Sequence, residues 1–309
     1  MTTAYASGKA ILFGEHAVVY GRPAIAVPVT EVQAQATIEN APSDQGIRII
    51  AQDLGRDYLL RDAPADDPLG LTVANALRHL RRSLEQDLTI TIGSTIPIAC
   101  GLGSGAAVST ALVRALVQHF DGWLATRAIS DIVFETEKLH HGTPSGIDNT
   151  VIAFEKPVYF IRDQTLEIFW VRRPFLLAIA DTGIASPTKI AVGDVRRAWQ
   201  ANPVKYEEIF DEIGTLTVMA RRAIESGQTE ALGQLMDANQ RLLRLLKVSS
   251  PELESLIAAA KQGGALGAKL SGGGRGGNMI ALVTPQTCDQ VSMMLRLAGA
   301  KNVIVTEVH

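Results

Sequence analysis

The sequence predicts an α+β protein of two domains, and three features carry that expectation. Its 309 residues are more than one hydrophobic core ordinarily organises. The first thirty residues read as extended chain, with AILF ending at Gly14 and AIAVPVT following the turn-like Tyr20-Gly21-Arg22-Pro23. The C-terminal third mixes helical stretches with strands, which calls for its own layers of helix and sheet, with a boundary near residues 162 to 174. On this reading the domains are 1–168 and 169–309.

Residues 88 to 92, LTITI, alternate between Leu88, Ile90, Ile92 and the threonines between them, the period of a half-buried strand. GLGSG interrupts it, and beyond lies a helix in which Ala107, Ala111, Leu112, Ala115, Leu116 and His119 recur at spacings of three and four. A second helix is predicted from Ser130, as N-cap, to about His140. Its apolar stripe includes Ile132, Val133, Thr136 and Leu139, and Glu137, four residues after Val133, falls at the margin of the buried face. HHGTPSGIDNT is rich in Gly, Pro and small polar residues and is expected to be a loop. PVYFI, LEIFWV and PFLLAIA read as strands. Helices follow around 206 to 225 and 229 to 247, then from Pro251 to Lys261 with Ser250 as its cap. AKLSGGGRGGNMIALV places a glycine loop before a strand, and NVIVTEV is the last strand.

With 47% hydrophobic and 20% charged residues, the composition is that of a soluble globular protein. A net charge of -3 supplies no basic field for nucleic acid or an anionic membrane, so small molecules are the expected partners. Cys100 and Cys288 form no CxxC pair, which argues against a disulfide framework or thiol metal site and suits a reducing compartment. Lys9, Glu15 and His16 interrupt the apolar N-terminus, and no run of about 18 apolar residues occurs. The expectation is a cytoplasmic, unprocessed protein.

Chemistry concentrates in a few places. Ala99, Cys100, Gly101, Leu102, Gly103, Ser104 and Gly105 lead into a helix, where unobstructed backbone N–H groups and the positive end of the helix dipole make an anion site suited to phosphate. No Lys-Ser or Lys-Thr closes the loop, so it is not a Walker A motif, and its spacing is not that of a dinucleotide fingerprint. A tight strand-to-helix turn would need the same glycines. Gly272, Gly273, Gly274, Gly276 and Gly277 surround Arg275, too dense a cluster for a simple hairpin. Close approach to a ligand explains it, as does a flexible surface loop. Lys9, Glu15 and His16 lie near two glycines, and Asp148 is flanked by Gly146 and Asn149. Taken singly, a solvated turn, a satisfied histidine and an Asx turn account for these residues equally well.

Together, GKAILFGEHAVVYG, PIACGLGSGAA with HGTPSGIDN behind it, and GAKLSGGGRGGN resemble, in order and spacing, the three signature regions of GHMP kinases, across nearly the whole chain. GEHAVVYG and HGTPSGIDN are similar to the mevalonate kinase branch. The GEHxDY of galactokinases and the NLGPGFD of homoserine kinases are absent. The resemblance implies a ribosomal-S5-like N-terminal domain, a ferredoxin-like C-terminal domain, and transfer of phosphate from ATP with Mg²⁺ to the 5-hydroxyl of mevalonate. Another GHMP kinase, such as a mevalonate 3-kinase or phosphomevalonate kinase, or an idle ATP-binding sensor, are the alternatives. By the same resemblance Asp148 receives or orients the hydroxyl proton and Lys9 assists it. Glu137, eleven residues earlier, binds Mg²⁺. Gly273 and Gly274 join the first glycine loop around the nucleotide, and Glu15, His16 and Thr182 meet the substrate. A homodimer is the family's common habit. Two departures stand out. Gly105 replaces a serine that relatives use toward Mg²⁺, which leaves Ser104 or a water to take its place, and Arg275 replaces a small or apolar residue.

Overall fold

The structure is a computed structural model describing residues 1–97, 101–141, 145–162, 164, 166–186 and 188–309, with backbone only at 140 and 141. The chain runs β1 (Thr2–Phe13), a short 3₁₀ helix (Ala17–Tyr20), β2 (Ala24–Asn40), β3 (Ile47–Ala51), β4 (Arg56–Leu59), α1 (Pro68–His79), β5 (Leu88–Ser94), α2 (Ser104–His119), α3 (Thr126–His141) and α4 (Ile147–Phe154). It continues through β6 (Val158–Phe160), β7 (Glu167–Ile168), β8 (Phe175–Asp181), α5 (Thr188–Ala201), α6 (Pro203–Ser226), α7 (Thr229–Leu245), α8 (Pro251–Gln262), β9 (Gly267–Ser271), β10 (Asn278–Val283), α9 (Cys288–Leu297) and β11 (Asn302–Val308). Two compact units result. One comprises residues 1–8, 32–97 and 103–155; the other comprises 9–31, the described residues 101 and 102, and 156–309.

In the first unit β5 pairs antiparallel with the second half of β2, β3 runs parallel to β5, and β4 pairs with β3. Ile90 stands opposite Ile38 on one side and Ile49 on the other, so the alternation of LTITI becomes a buried row across three strands. The helices α1 to α4 pack together. The alanine-leucine stripe of α2 is buried as its spacing predicts. The hydroxyl of Thr72 on α1 lies 2.9 Å from Thr136 Oγ1 on α3 and donates to Ser109 Oγ on α2 at 3.3 Å, a polar pin through three helices.

The second unit contains an antiparallel sheet in the order β11-β8-β10-β9. Phe210, Ile213, Leu243, Leu253, Leu270, Met279 and Val291 form part of its core. The outer edge of β9 is covered by α7, whose Asp237 and Gln240 accept the strand's N–H groups at Ala268 and Leu270, both at 2.9 Å. Side chains thus stop an edge strand from recruiting another chain.

Some local expectations are corrected. Ser130 is no N-cap: α3 begins four residues earlier, and the buried Ser130 hydroxyl accepts from Asn149 Nδ2 at 2.8 Å, a tertiary partner outweighing its capping preference. In the stretch HHGTPSGIDNT, residues 142–144 lie outside the described ones, but from Ile147 the chain is helical because Ile147, Val151 and Ile152 bury one face. Of LEIFWV only Glu167 and Ile168 pair as a strand.

Candidate active site

Three candidate groups belong to the helices of the first unit. Gly103 is the N-cap of α2, and among the described residues no side chain caps that end, so the first-turn N–H groups beside Ser104 and Gly105 are placed to receive an anion. Glu137 follows the pinned Thr136 on α3 and is buried, at 4% exposure. Asp148 is half-buried in the first turn of α4. Its neighbour Asn149 fixes that turn, donating to Ser130 O at 3.1 Å as well as to Ser130 Oγ. The sequence GIDN therefore sets a buried anchor beside the candidate base.

The remaining candidates lie in the second unit, where the motifs converge. Lys9 is buried in β1, and its N–H donates to Leu102 O at 3.0 Å, joining the first motif to the first glycine loop. Ala99 and Cys100, also expected at that loop, lie outside the described residues. Gly14 holds φ +93, and a Cβ there would sit 2.4 Å from Pro23 O, so only glycine admits the turn that follows. His16 (φ 62, ψ -48) is the centre of a γ-turn closed by Ala17 N–H donating to Glu15 O at 2.7 Å. The His16 ring reaches Gly273 O, with Nε2 at 3.1 Å. A carbonyl only accepts, so Nε2 carries the proton and Nδ1 of the neutral ring is an acceptor. Nδ1 is buried and bonds no protein atom among the described residues. Burial drives the pKa of His16 down to about 4; the bond to Gly273 works against that, and the charge of Arg275 adds to it.

The second glycine loop is held from several sides. A Cβ at Gly274 (φ +73) would lie 2.1 Å from Val248 O. Ser186 Oγ donates to Gly274 O at 2.7 Å, and Thr182 Oγ1 donates to Gly277 O at 3.0 Å, which brings the expected substrate threonine to the loop. Arg275 (φ 60) pairs with Asp194 on α5, which also pairs with Arg197. This is a tethered loop and not a flexible one.

Sequence reasoning missed Lys269, Asn239 and Asp194. Lys269 on β9 is fully buried and pairs with Glu15, whose second oxygen accepts from Asn239 Nδ2 at 3.3 Å. Burial pushes the Lys269 ammonium toward a lower pKa, and the Glu15 carboxylate opposes this. A lysine inside the apolar run GAKL was the available signal.

The family model for the GHMP kinases N terminal domain matches residues 71–156, and that for the GHMP kinases C terminal matches residues 220–300. The chain is 34% identical to a mevalonate kinase of Pyrococcus abyssi, over 98% of this chain and 95% of that one. It is 33% identical to a mevalonate kinase of Thermococcus sibiricus, over 97% and 94%. The crystal structure of L. major mevalonate kinase in complex with R-mevalonate superimposes with a TM-score of 0.86 at 30% identity, covering 100% of this chain and 96% of that one.

Proposed function

The chain belongs to the GHMP kinase family, and on that premise we infer that it is a mevalonate kinase, transferring the γ-phosphoryl group of ATP to the 5-hydroxyl of mevalonate. The observation that carries this reading is likeness to mevalonate kinases over nearly the full length at 30% identity or above.

Asp148 accepts or orients the proton of the attacking hydroxyl, from a helix turn that Asn149 anchors. Lys9 supplies positive charge toward the transferred phosphoryl group. The start of α2 offers its first-turn N–H groups to nucleotide phosphate, and Gly101, Leu102, Gly103, Ser104, Gly105, Gly273 and Gly274 are the nucleotide contacts that the family resemblance assigns. Glu137 and Ser104 fit Mg²⁺, because a single buried carboxylate with a hydroxyl suits an ion that takes its other oxygens from phosphates and water. Among the described residues no cluster of three His, Cys, Asp or Glu forms a dedicated metal cage. When bound, Mg²⁺ neutralises phosphate charge.

Glu15, His16 and Thr182 are the substrate-side residues of this reading, and the neutral His16 offers Nδ1 as an acceptor to a donor on the substrate in place of pairing with a charge. A cytoplasmic homodimer completes it; light scattering on the purified protein measures the oligomer. Among the described residues no helix is long and apolar enough to cross a membrane.

The test is ATP turnover on a panel of mevalonate, phosphomevalonate, homoserine and galactose. Mevalonate should give by far the highest kcat/KM, with the new phosphate on the 5-oxygen by NMR. Phosphate on the 3-oxygen would reassign the enzyme to the mevalonate 3-kinases.

A further inference from the structure

Lys269 has no part in the phosphoryl-transfer chemistry above, yet its side chain is 0% exposed. An ammonium held out of water is costly unless it is paired and hydrogen-bonded. Lys269 meets that demand by donating to Glu15 Oε1 and, at 2.6 Å, to Leu270 O. Two residues along the same face of β9, Ser271 Oγ donates to Ile11 O at 2.9 Å and accepts from Ile11 N–H at 3.1 Å. One face of β9 therefore grips the first motif at Ile11 and at Glu15, on either side of the glycine turn at Gly14.

The residue after Glu15 is the strained one. A γ-turn of this hand is rare for a residue with a Cβ, and it persists only where the surroundings over-determine it. At His16 they do so from both ends. The Glu15 side chain is fastened to Lys269 and Asn239, and the His16 ring is seated on Gly273, four residues beyond Lys269.

We propose that Lys269 is a positioning residue: by holding Glu15 it keeps the γ-turn at His16 formed, so that the ring stays on Gly273 O and presents Nδ1 as a fixed acceptor. Only the kinetic arm of the test below rests on the mevalonate kinase reading.

The test compares full-length wild type with Lys269→Met. The tautomer of His16 is read from ring ¹⁵N shifts, with its signals assigned among six histidines by their loss in His16→Asn. Wild type should show a protonated Nε2 and an unprotonated Nδ1. In Lys269→Met the two nitrogens should move toward averaged shifts. The KM for mevalonate should rise about tenfold or more while the KM for ATP changes less than about threefold, the split expected when substrate positioning is lost. Should that variant not fold, Glu15→Gln/Lys269→Met carries no unpaired buried charge and is read by the His16 spectra alone, because Glu15 is itself a substrate-side residue. A folded variant with the wild-type His16 spectrum and wild-type mevalonate KM overturns the proposal, even if its melting temperature falls. If wild type does not phosphorylate mevalonate, the functional reading fails by itself and the His16 spectra still decide the positioning.

Discussion

His16 Nε2 donates to Gly273 O at 3.1 Å, closing a bond between two motifs 257 residues apart in the chain. The bond fixes the tautomer of a buried imidazole whose pKa is lowered to about 4, so protonation would strand a charge inside the second unit.

A pH dependence of stability follows. The folded pKa is below the unfolded value of 6.5, so the neutral ring favours the folded state fully above about pH 7, and this contribution is lost as pH falls toward 4. His16→Asn removes the titration while tolerating the positive φ. Urea unfolding should show the stability difference between wild type and His16→Asn shifting by about 3 kcal/mol against wild type between pH 7 and pH 4. A difference constant with pH would mean that His16 is not buried neutral.

Arg275→Gly should separate stability from electrostatics. The Arg275–Asp194 pair is about one-third exposed on each side, and such pairs contribute no more than about 1 kcal/mol. Glycine also relieves the positive φ, so the unfolding free energy should change by less than about 1 kcal/mol. Losing the nearby cation should nevertheless raise the pKa of His16 in an NMR titration. An unmoved His16 would show that solvent screens Arg275 from the ring.

Parts of this site were legible in the sequence and parts were not, for physical reasons. Glycine loops and a period-two strand are local signals, and LTITI and GLGSG each carry their own geometry, whereas GIDN, whose composition predicts a loop, opens α4 because Ile147, Val151 and Ile152 bury one face. The Lys269–Glu15 pair joins positions 254 residues apart, and nothing beside Glu15 marks it as the partner of a buried lysine. Asn239 is one polar residue on an amphipathic helix, where a solvated position is the ordinary expectation, yet it is fully buried. Ser130 misled because its local preference for capping was overruled by Asn149, a partner on another helix. Where local chemistry and tertiary partners agree, sequence is enough; where a polar group's partner is distant, only the fold supplies it.

Asp148→Asn should reduce kcat by about 10²-fold or more while ATP binding stays near wild type, as expected for losing a general base. Asparagine keeps the size of the side chain, and the anchor beside it, Asn149 on Ser130, is untouched. Steady-state turnover together with nucleotide titration checks both halves. Near-normal kcat would remove Asp148 from the mechanism.

The glycine at position 105 offers the last test, because it asks whether a missing hydroxyl matters to the metal. Gly105 lies within the first turn of α2 and is exposed, so its backbone is helical and needs no freedom that only glycine has. Gly105→Ser should therefore be tolerated, and the added oxygen should lower the Mg²⁺ concentration for half-maximal rate. Glu137 is the one carboxylate assigned to the metal in this reading, so Glu137→Gln should raise the Mg²⁺ requirement and depress turnover strongly. Magnesium titrations of the two variants decide the matter. If Gly105→Ser loses activity equally at every Mg²⁺ concentration, space above the helix end is the constraint at that position. If Glu137→Gln keeps the wild-type Mg²⁺ dependence, the carboxylate beside the Thr72–Thr136 pin is structural, because a metal ligand stripped of its charge must weaken the site it serves.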